Sequence, residues 1–266
     1  MIYINNQKKI ENIKLDKNNF YVVADFDKTL TKCQGGLNTT WGVMANANEV
    51  GDDYTKERMA LYNHYRPIEI DMTLSDEKKS EEMSNWYKAH INLFYKYGLK
   101  EISLINSVRK NGLKYRPGAK EFLRKMKEFD IPIIIISAGI GNVIREFLKD
   151  EDDFTENIKI VSNFIHFEKG VIKGIQGDII HSLNKNIVKL DNTSKEKIKN
   201  RKNILLFGDG LADLKMVSKE ELENTISVGF LEEKVEENLK YYNESFDIVL
   251  TNNGTFNNVN KILKIY

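Results

Sequence analysis

The chain has 266 residues, 41% of them hydrophobic and 30% charged, which suits one large α/β domain or a core with a smaller cap. Lys and Arg number 40 against 39 Asp and Glu, for a formal net charge of +1, so no broad basic field points to nucleic acid or an anionic membrane as the main partner. The single cysteine, Cys33, cannot form an internal disulfide, which sets aside a disulfide-built secreted domain; it reads as a buried or incidental thiol more readily than as a reactive one.

Met1 to Lys14 mix polar and charged residues without the apolar core of a signal peptide, and no apolar run, Ile133 to Ile136 included, is long enough to cross a bilayer. A cytoplasmic protein is expected. Tyr21 to Ala24 is a short apolar run that ends at Asp25. Runs of this kind, without alternation, suit strands buried on both faces, as in a parallel sheet. Residues 33–115 then read as mostly helical, near Asp53 to Tyr65, Glu77 to Tyr97 and Lys100 to Asn111, with Gly35-Gly36 and Gly112 as joints.

Beyond this segment, strand and helix patterns alternate. Ala119 to Phe129 carries Phe122, Met126 and Phe129 at helical spacing behind Pro117-Gly118. Ile133 to Ile136 predicts a strand and Asn142 to Lys149 a helix. Asn163 to Gly177 reads as a small hairpin or as a surface loop. Strands are expected at Ile204 to Phe207, Thr225 to Val228 and Asp247 to Leu250, with helices at Asp213 to Ser218 and Glu232 to Tyr241 between them. This order predicts a doubly wound, Rossmann-like α/β fold around a parallel sheet with right-handed crossovers. Residues 1–32 and 116–266 would form the core, and 33–115 an inserted helical cap. Open α/β sheets bind ligands at the carboxyl ends of their strands, where a cap inserted after the first strand would lie.

The first strand runs into Asp25-Phe26-Asp27-Lys28-Thr29-Leu30-Thr31. Carboxylates at i and i+2 repel unless a cation or a shared proton sits between them, and at a strand end they suit a hard cation with oxygen ligands. The strand at Ile204 runs into Gly208-Asp209-Gly210-Leu211-Ala212-Asp213, where acids again follow an apolar run. Ser137-Ala138-Gly139-Ile140-Gly141 offers a hydroxyl and free N–H groups before a helix, a natural phosphate cradle. Lys185 adds a positive charge for the same phosphate. Taken singly, such an Asp is usually an N-cap, such a Ser a turn residue and such a Lys a solvated side chain. The order in which all of them follow one another carries the reading.

In this combination the sequence resembles the haloacid dehalogenase (HAD) superfamily of phosphotransferases, and within it the cytosolic 5'-nucleotidase III, or pyrimidine 5'-nucleotidase, family. The resemblance rests on Ala24 to Thr31, Ile68-Glu69-Ile70-Asp71, Trp86-Tyr87-Lys88-Ala89-His90, Ile136 to Gly141, Val161-Ser162-Asn163-Phe164 and Ile180 to Lys185. It implies a HAD-like core with a helical cap. It further implies Asp25 as nucleophile, Asp27 as general acid and then base, and Ser137, the Ala138 N–H and Lys185 as phosphate ligands. Mg²⁺ would be held by Asp25 and Asp209, by the Asp27 carbonyl, and by Asp213 through waters or a neighbouring group. Glu69 falls where the family's base- or sugar-recognising glutamate sits. Trp86 and Tyr87 offer rings for a base, or simply pack. Lys28 replaces a common apolar residue, to reach the phosphate or solvent; Ala89 stands where animal members carry a serine, and a Cys-rich loop of some members is missing.

The expected activity is Mg²⁺-dependent hydrolysis of nucleoside 5'-monophosphates, CMP and UMP first, through an aspartyl-phosphate. Another small phosphomonoester such as phosphoserine or a sugar phosphate, or transfer to a second nucleoside, are the alternatives. A catalytically silent scaffold would have no need for clustered acids. A small nucleotide is the expected partner, without nucleic acid or membrane, and a monomer is preferred.

Overall fold

The computed structural model describes residues 1–32, 39–45, 51–71, 73–185 and 190–265, so that Cys33 and the Gly35-Gly36 joint lie outside the described residues. In chain order its elements are β1 (Ile2–Ile4), α1 (Gln7–Asn12), β2 (Phe20–Ala24), α2 (Thr40–Ala45), α3 (Asp52–Ile70), α4 (Asp76–Lys96), α5 (Glu101–Asn111), α6 (Ala119–Glu128), β3 (Ile133–Ile140), α7 (Gly141–Asp150), β4 (Ile158–Glu168), β5 (Val171–Gln176), α8 (Asn192–Ile198), β6 (Asn203–Gly208), β7 (Thr225–Leu231), α9 (Val235–Ser245), β8 (Ile248–Thr251) and α10 (Phe256–Leu263). The strands form one sheet in the order β1-β8-β7-β6-β2-β3-β4-β5. From β8 to β4 all pairs are parallel, while β1 and β5 close the two edges antiparallel. This is the doubly wound sheet expected from the sequence.

The unbroken apolar runs are explained by cover on both faces. Phe20, Val22 and Ala24 join one buried cluster with Ile133, Ile135, Leu205 and Phe207. Their neighbours Tyr21 and Val23 join a second with Ile134, Ile136, Ile204 and Leu206. Alternate residues of a strand point to opposite faces, so a strand that must be apolar on both reads as one continuous run. The chain leaves β2 toward β3 and β4, then returns to build β6, β7 and β8 on the other side. β2 thus lies between β3 and β6, at the reversal of direction where such sheets open a crevice.

Several boundaries differ from expectation. β3 continues to Ile140, past Ser137, because its ladder with β4 resumes at Ile140 opposite Asn163 after a shift in register. The segment from Asp213 is no α-helix: a 3-10 turn at Leu211–Met216 forms instead, and Asp213 folds its carboxylate back onto the Asp209 and Gly210 N–H groups. The stretch after Asn163 is a hairpin, turning at Lys169-Gly170, where both residues have positive φ. β1, α1, α8, α10 and the first half of β4 were not expected. β1 is three residues long with Ile2 and Ile4 exposed, so no periodicity could announce it. No helix among the described residues is long and apolar enough to cross a membrane.

Candidate active site

Asp25, the residue after β2, is 3% exposed, and its N–H donates to the Phe207 carbonyl of β6 at 3.0 Å. That bond ties it to the strand whose end carries Asp209. Carboxylate oxygens of Asp25, Asp209 and Asp213 lie within 4.8 Å of one another. Lys185, on the loop after β5, donates to Asp25 Oδ1 and, at 2.9 Å, to Asp213 Oδ1. The other oxygen of Asp213 takes the Asp209 and Gly210 N–H groups at 3.0 and 2.9 Å. Gly208 permits this fold-back: a Cβ there would lie 2.4 Å from the Asp213 Cβ.

One ammonium faces three carboxylates here. Burial pushes Asp25 up to about 7 against the pull of Lys185, with Asp213 adding to the rise. Asp209 is held well above the usual carboxylate range by burial, then by Asp25 and Asp213. Burial pulls Lys185 down, but Asp213 and Asp25 outweigh it and hold the ammonium well above its ordinary value. A group of hard oxygen donors whose mutual repulsion one lysine leaves uncompensated fits a divalent cation.

Asp27 acts on Asp25 and feels Lys185 electrostatically, but its hydrogen bonds go elsewhere. Its Oδ1 accepts the Thr40 N–H at 2.9 Å and its Oδ2 the Thr40 hydroxyl at 2.7 Å. Burial pushes it up to about 6, against the lowering effect of the two Thr40 bonds. Ser137 is 1% exposed, and its Oγ accepts the Gly139 N–H at 3.0 Å, closing a tight turn. Ala138 lies in that turn, and its carbonyl accepts from the Trp41 indole at 3.2 Å and the Asn163 amide at 3.0 Å. The turn after Asp27 has Lys28 at φ 63°. Its carbonyls are held from below by Arg116, 1% exposed, which donates to Lys28 O, Thr29 O and Gly254 O and to the Glu232 carboxylate, and stacks its guanidinium 4.1 Å from the Phe230 ring centroid. Lys28 itself pairs with Glu233, and its charge also acts on the Asp209 and Asp27 carboxyl groups.

Glu69, near the end of α3, is paired with Arg66 and accepts from the Ser182 hydroxyl at 3.1 Å. It therefore touches the loop that carries Lys185. Trp86, on α4, stacks on Tyr65 with centroids 5.8 Å apart, and meets Tyr62 and Tyr87 edge-on at 6.1 and 6.3 Å. The Tyr87 phenol is pushed well above its usual range by burial, then by Glu69, with Asp27 and Asp25 also acting on it. Glu69, Asp25 and Asp27 thus all act on the same phenol. Sequence reasoning missed Thr40 and Arg116, since nothing in the local pattern marks either as the partner of a distant loop.

A family model described as Pyrimidine 5'-nucleotidase (UMPH-1) matches residues 28–266. The chain belongs to this family. It is 36% identical over 249 residues to the Xenopus laevis "7-methylguanosine phosphate-specific 5'-nucleotidase A", covering 91% of this chain and 86% of that protein. The human "7-methylguanosine phosphate-specific 5'-nucleotidase" is 34% identical over 250 residues, covering 91% and 83%. Among solved structures, cytosolic 5'-nucleotidase IIIB bound to cytidine superposes with a TM-score of 0.88 at 27% identity, over 99% of this chain and 93% of that one. A substrate-bound phosphoserine phosphatase, at 15% identity and a TM-score of 0.59 over 92% of this chain and 98% of that one, shares the fold. The family match begins at Lys28, just after the two acids of the first loop, so their placement rests on the geometry above.

Proposed function

We propose that this protein is a divalent-metal-dependent 5'-nucleotidase that splits nucleoside 5'-monophosphates into nucleoside and phosphate through an aspartyl-phosphate on Asp25. The observation that carries the reading is the convergence of Asp25, Asp209, Asp213 and Lys185 within hydrogen-bonding and metal-ligating reach of one another at the ends of neighbouring strands. Residues 1–32 and 116–266 serve as its core and residues 33–115 as its cap, and the solved neighbour named cytosolic 5'-nucleotidase IIIB supports a cytoplasmic setting.

Asp25 attacks phosphorus, and the bond from phosphorus to the nucleoside O5' breaks. Asp27 gives its proton to that leaving oxygen. Burial favours the protonated form of Asp27 that this step requires. Asp27 then takes a proton from water, which attacks the phosphoryl group on Asp25 and releases inorganic phosphate. Ser137, the Ala138 N–H and Lys185 hold the phosphoryl oxygens as their charge redistributes. Asp25, Asp209 and the Asp27 carbonyl would hold Mg²⁺, and Asp213 would support them. When bound, the ion offsets the carboxylate repulsion and the negative charge of the phosphate.

In the cap, Glu69 accepts from a base amine, a ring N–H or a ribose hydroxyl, and the Tyr65–Trp86 pair offers ring faces beside it. CMP and UMP are the first substrates on this reading, supported by the cytidine-bound neighbour. The relatives named for 7-methylguanosine phosphate favour a second, methylated purine monophosphate, whose cationic base would stack well on Trp86. A phosphate-release screen over CMP, UMP, 7-methyl-GMP, AMP, phosphoserine and sugar phosphates, with Mg²⁺ and with EDTA, tests both. Faster turnover of phosphoserine or a sugar phosphate than of every nucleotide overturns the nucleotidase reading.

A further inference from the structure

We infer that Thr40 is the positioning residue for the proton-transfer step: it fixes the Asp27 carboxyl group so that its remaining lone pairs serve the leaving oxygen and the incoming water. This deepens the function proposed above and rests on the assignment of Asp27 as acid and base.

Thr40 is fully buried, at the start of α2, and occupies both oxygens of Asp27 at once. Its hydroxyl has a single proton, and toward the ionised carboxylate its direction is forced. The Ile140 N–H, 3.1 Å from Thr40 Oγ1, can only donate, so the hydroxyl accepts there and gives its proton to Asp27 Oδ2. The side chain therefore bridges the acid to the backbone of β3, just beyond Ser137. A two-point grip leaves the carboxylate little torsional freedom, and alignment of a proton donor within hydrogen-bond reach is what general acid catalysis requires.

A second observation points the same way. A Cβ built on Gly139 would lie 2.2 Å from Thr40 Oγ1, 3.0 Å from Asp27 Oδ2 and 3.1 Å from Ser137 Oγ. The missing side chain at 139 is the space in which the Thr40–Asp27 pair meets the phosphate-side turn. The next residue, Trp41, donates its indole N–H to the Ala138 carbonyl of the same turn at 3.2 Å. The start of α2 is thus braced against both the acid and the turn it must serve.

The test separates leaving groups. A nucleoside O5' departs as an alkoxide and needs the proton from Asp27; a p-nitrophenolate leaves without one. The value of kcat/KM reports the steps up to loss of the leaving group, so the ratio of kcat/KM for the best nucleotide to that for p-nitrophenyl phosphate isolates proton donation from folding, metal loading and phosphate binding. Thr40→Val, close in shape but without the hydroxyl, should lower this ratio about tenfold to hundredfold, a share of the 10² to 10⁴ that general acids contribute. Thr40→Ser should restore it to within about threefold of wild type, as expected when one hydroxyl–carboxylate bond is regained. Asp27→Asn is measured beside them as the reference for full loss of the acid. Equal losses on both substrates in Thr40→Val, or failure of Thr40→Ser to recover the ratio, overturn the inference. Should Thr40→Val be insoluble, the ratio for Thr40→Ser against Thr40→Ala decides in the same sense. If Asp27→Asn leaves the ratio unchanged, the acid assignment itself is wrong; if it lowers the ratio and Thr40→Val does not, only the role of Thr40 falls.

Discussion

The carboxylate cluster and the aromatic patch of α3 and α4 sit in one neighbourhood but are built by opposite means. Asp25 and Asp209 follow directly from adjacent strands, and backbone hydrogen bonds of the sheet fix where they stand. Glu69 and Trp86 ride on helices and meet their surroundings through side chains: an ion pair to Arg66, a hydroxyl from Ser182, and a group of rings in which Tyr62 remains 42% exposed. The first arrangement suits chemistry that tolerates little displacement. The second suits recognition, where rings and long polar side chains adjust to what they hold.

If that contrast is right, changes in the sheet-borne cluster should abolish turnover, and changes in the helices should redistribute it among substrates. The largest effect is expected for Asp25→Asn. Phosphate release should fall by about 10⁴-fold or more on every substrate, as for removal of other nucleophiles, with the thermal transition unchanged or raised. Residual turnover above that level would remove the nucleophile assignment and with it the contrast.

Metal removal comes next. EDTA should reduce turnover to background and Mg²⁺ restore it. The metal-free protein should also lose stability as pH rises. Asp25 moves from 3.8 to about 7 and Asp27 to about 6 in the folded state, so across that window the folded chain binds more protons than the unfolded one. Stability then falls with rising pH, by at most about 1.4 kcal/mol per pH unit for each group. Burial also lowers His90 to about 3, which works the opposite way below the ordinary imidazole range, so the sign is read against Asp25→Asn: without metal, wild type should lose more melting temperature than Asp25→Asn between pH 5 and pH 8, and an equal or smaller loss contradicts it. Asp209→Asn should flatten the dependence.

In the helices, Glu69→Gln should raise KM for nucleotides by roughly 10- to 100-fold, the loss of a hydrogen bond to a charged group, while p-nitrophenyl phosphate is hydrolysed as before. Trp86→Ala should raise the nucleotide KM about tenfold, and Trp86→Phe less, since a ring face is worth about 1–3 kcal/mol to a stacked base. An unaltered KM with a lowered melting temperature would reassign Trp86 to packing. Lys28→Ala should change stability by less than about 1 kcal/mol, because its partner Glu233 is half exposed.

The same contrast governs what the sequence disclosed. Asp25, Ser137 and Asp209 each follow a short β-branched or aliphatic run, so local pattern and chain order were enough to bring them to neighbouring strand ends. Lys185 follows no such run: the residues offered it only as a positive charge for the phosphate, and the resemblance to a known family assigned it to that place. Thr40 and Arg116 were illegible because their meaning depends on groups 13 and 87 or 88 residues away, with no periodic signal between. The 3-10 turn at Leu211–Met216 was read as a helix because the Asp213 carboxylate accepts from two N–H groups of its own loop, those of Asp209 and Gly210, and these bonds outweigh propensity there. The edge strand β1 escaped because three residues, two of them exposed, leave no alternation to read.

Arg116 has a consequence for how the molecule would fail. A single buried guanidinium bonds both the turn behind the two first acids and the Gly254 carbonyl just before α10. Opening of the C-terminal segment would free one side of that clamp, so a nick or fraying near residue 254 should silence an enzyme whose proposed nucleophile and acid lie more than two hundred positions upstream. Activity loss and C-terminal hydrogen exchange should therefore rise together under mild denaturant, as one event seen from two ends.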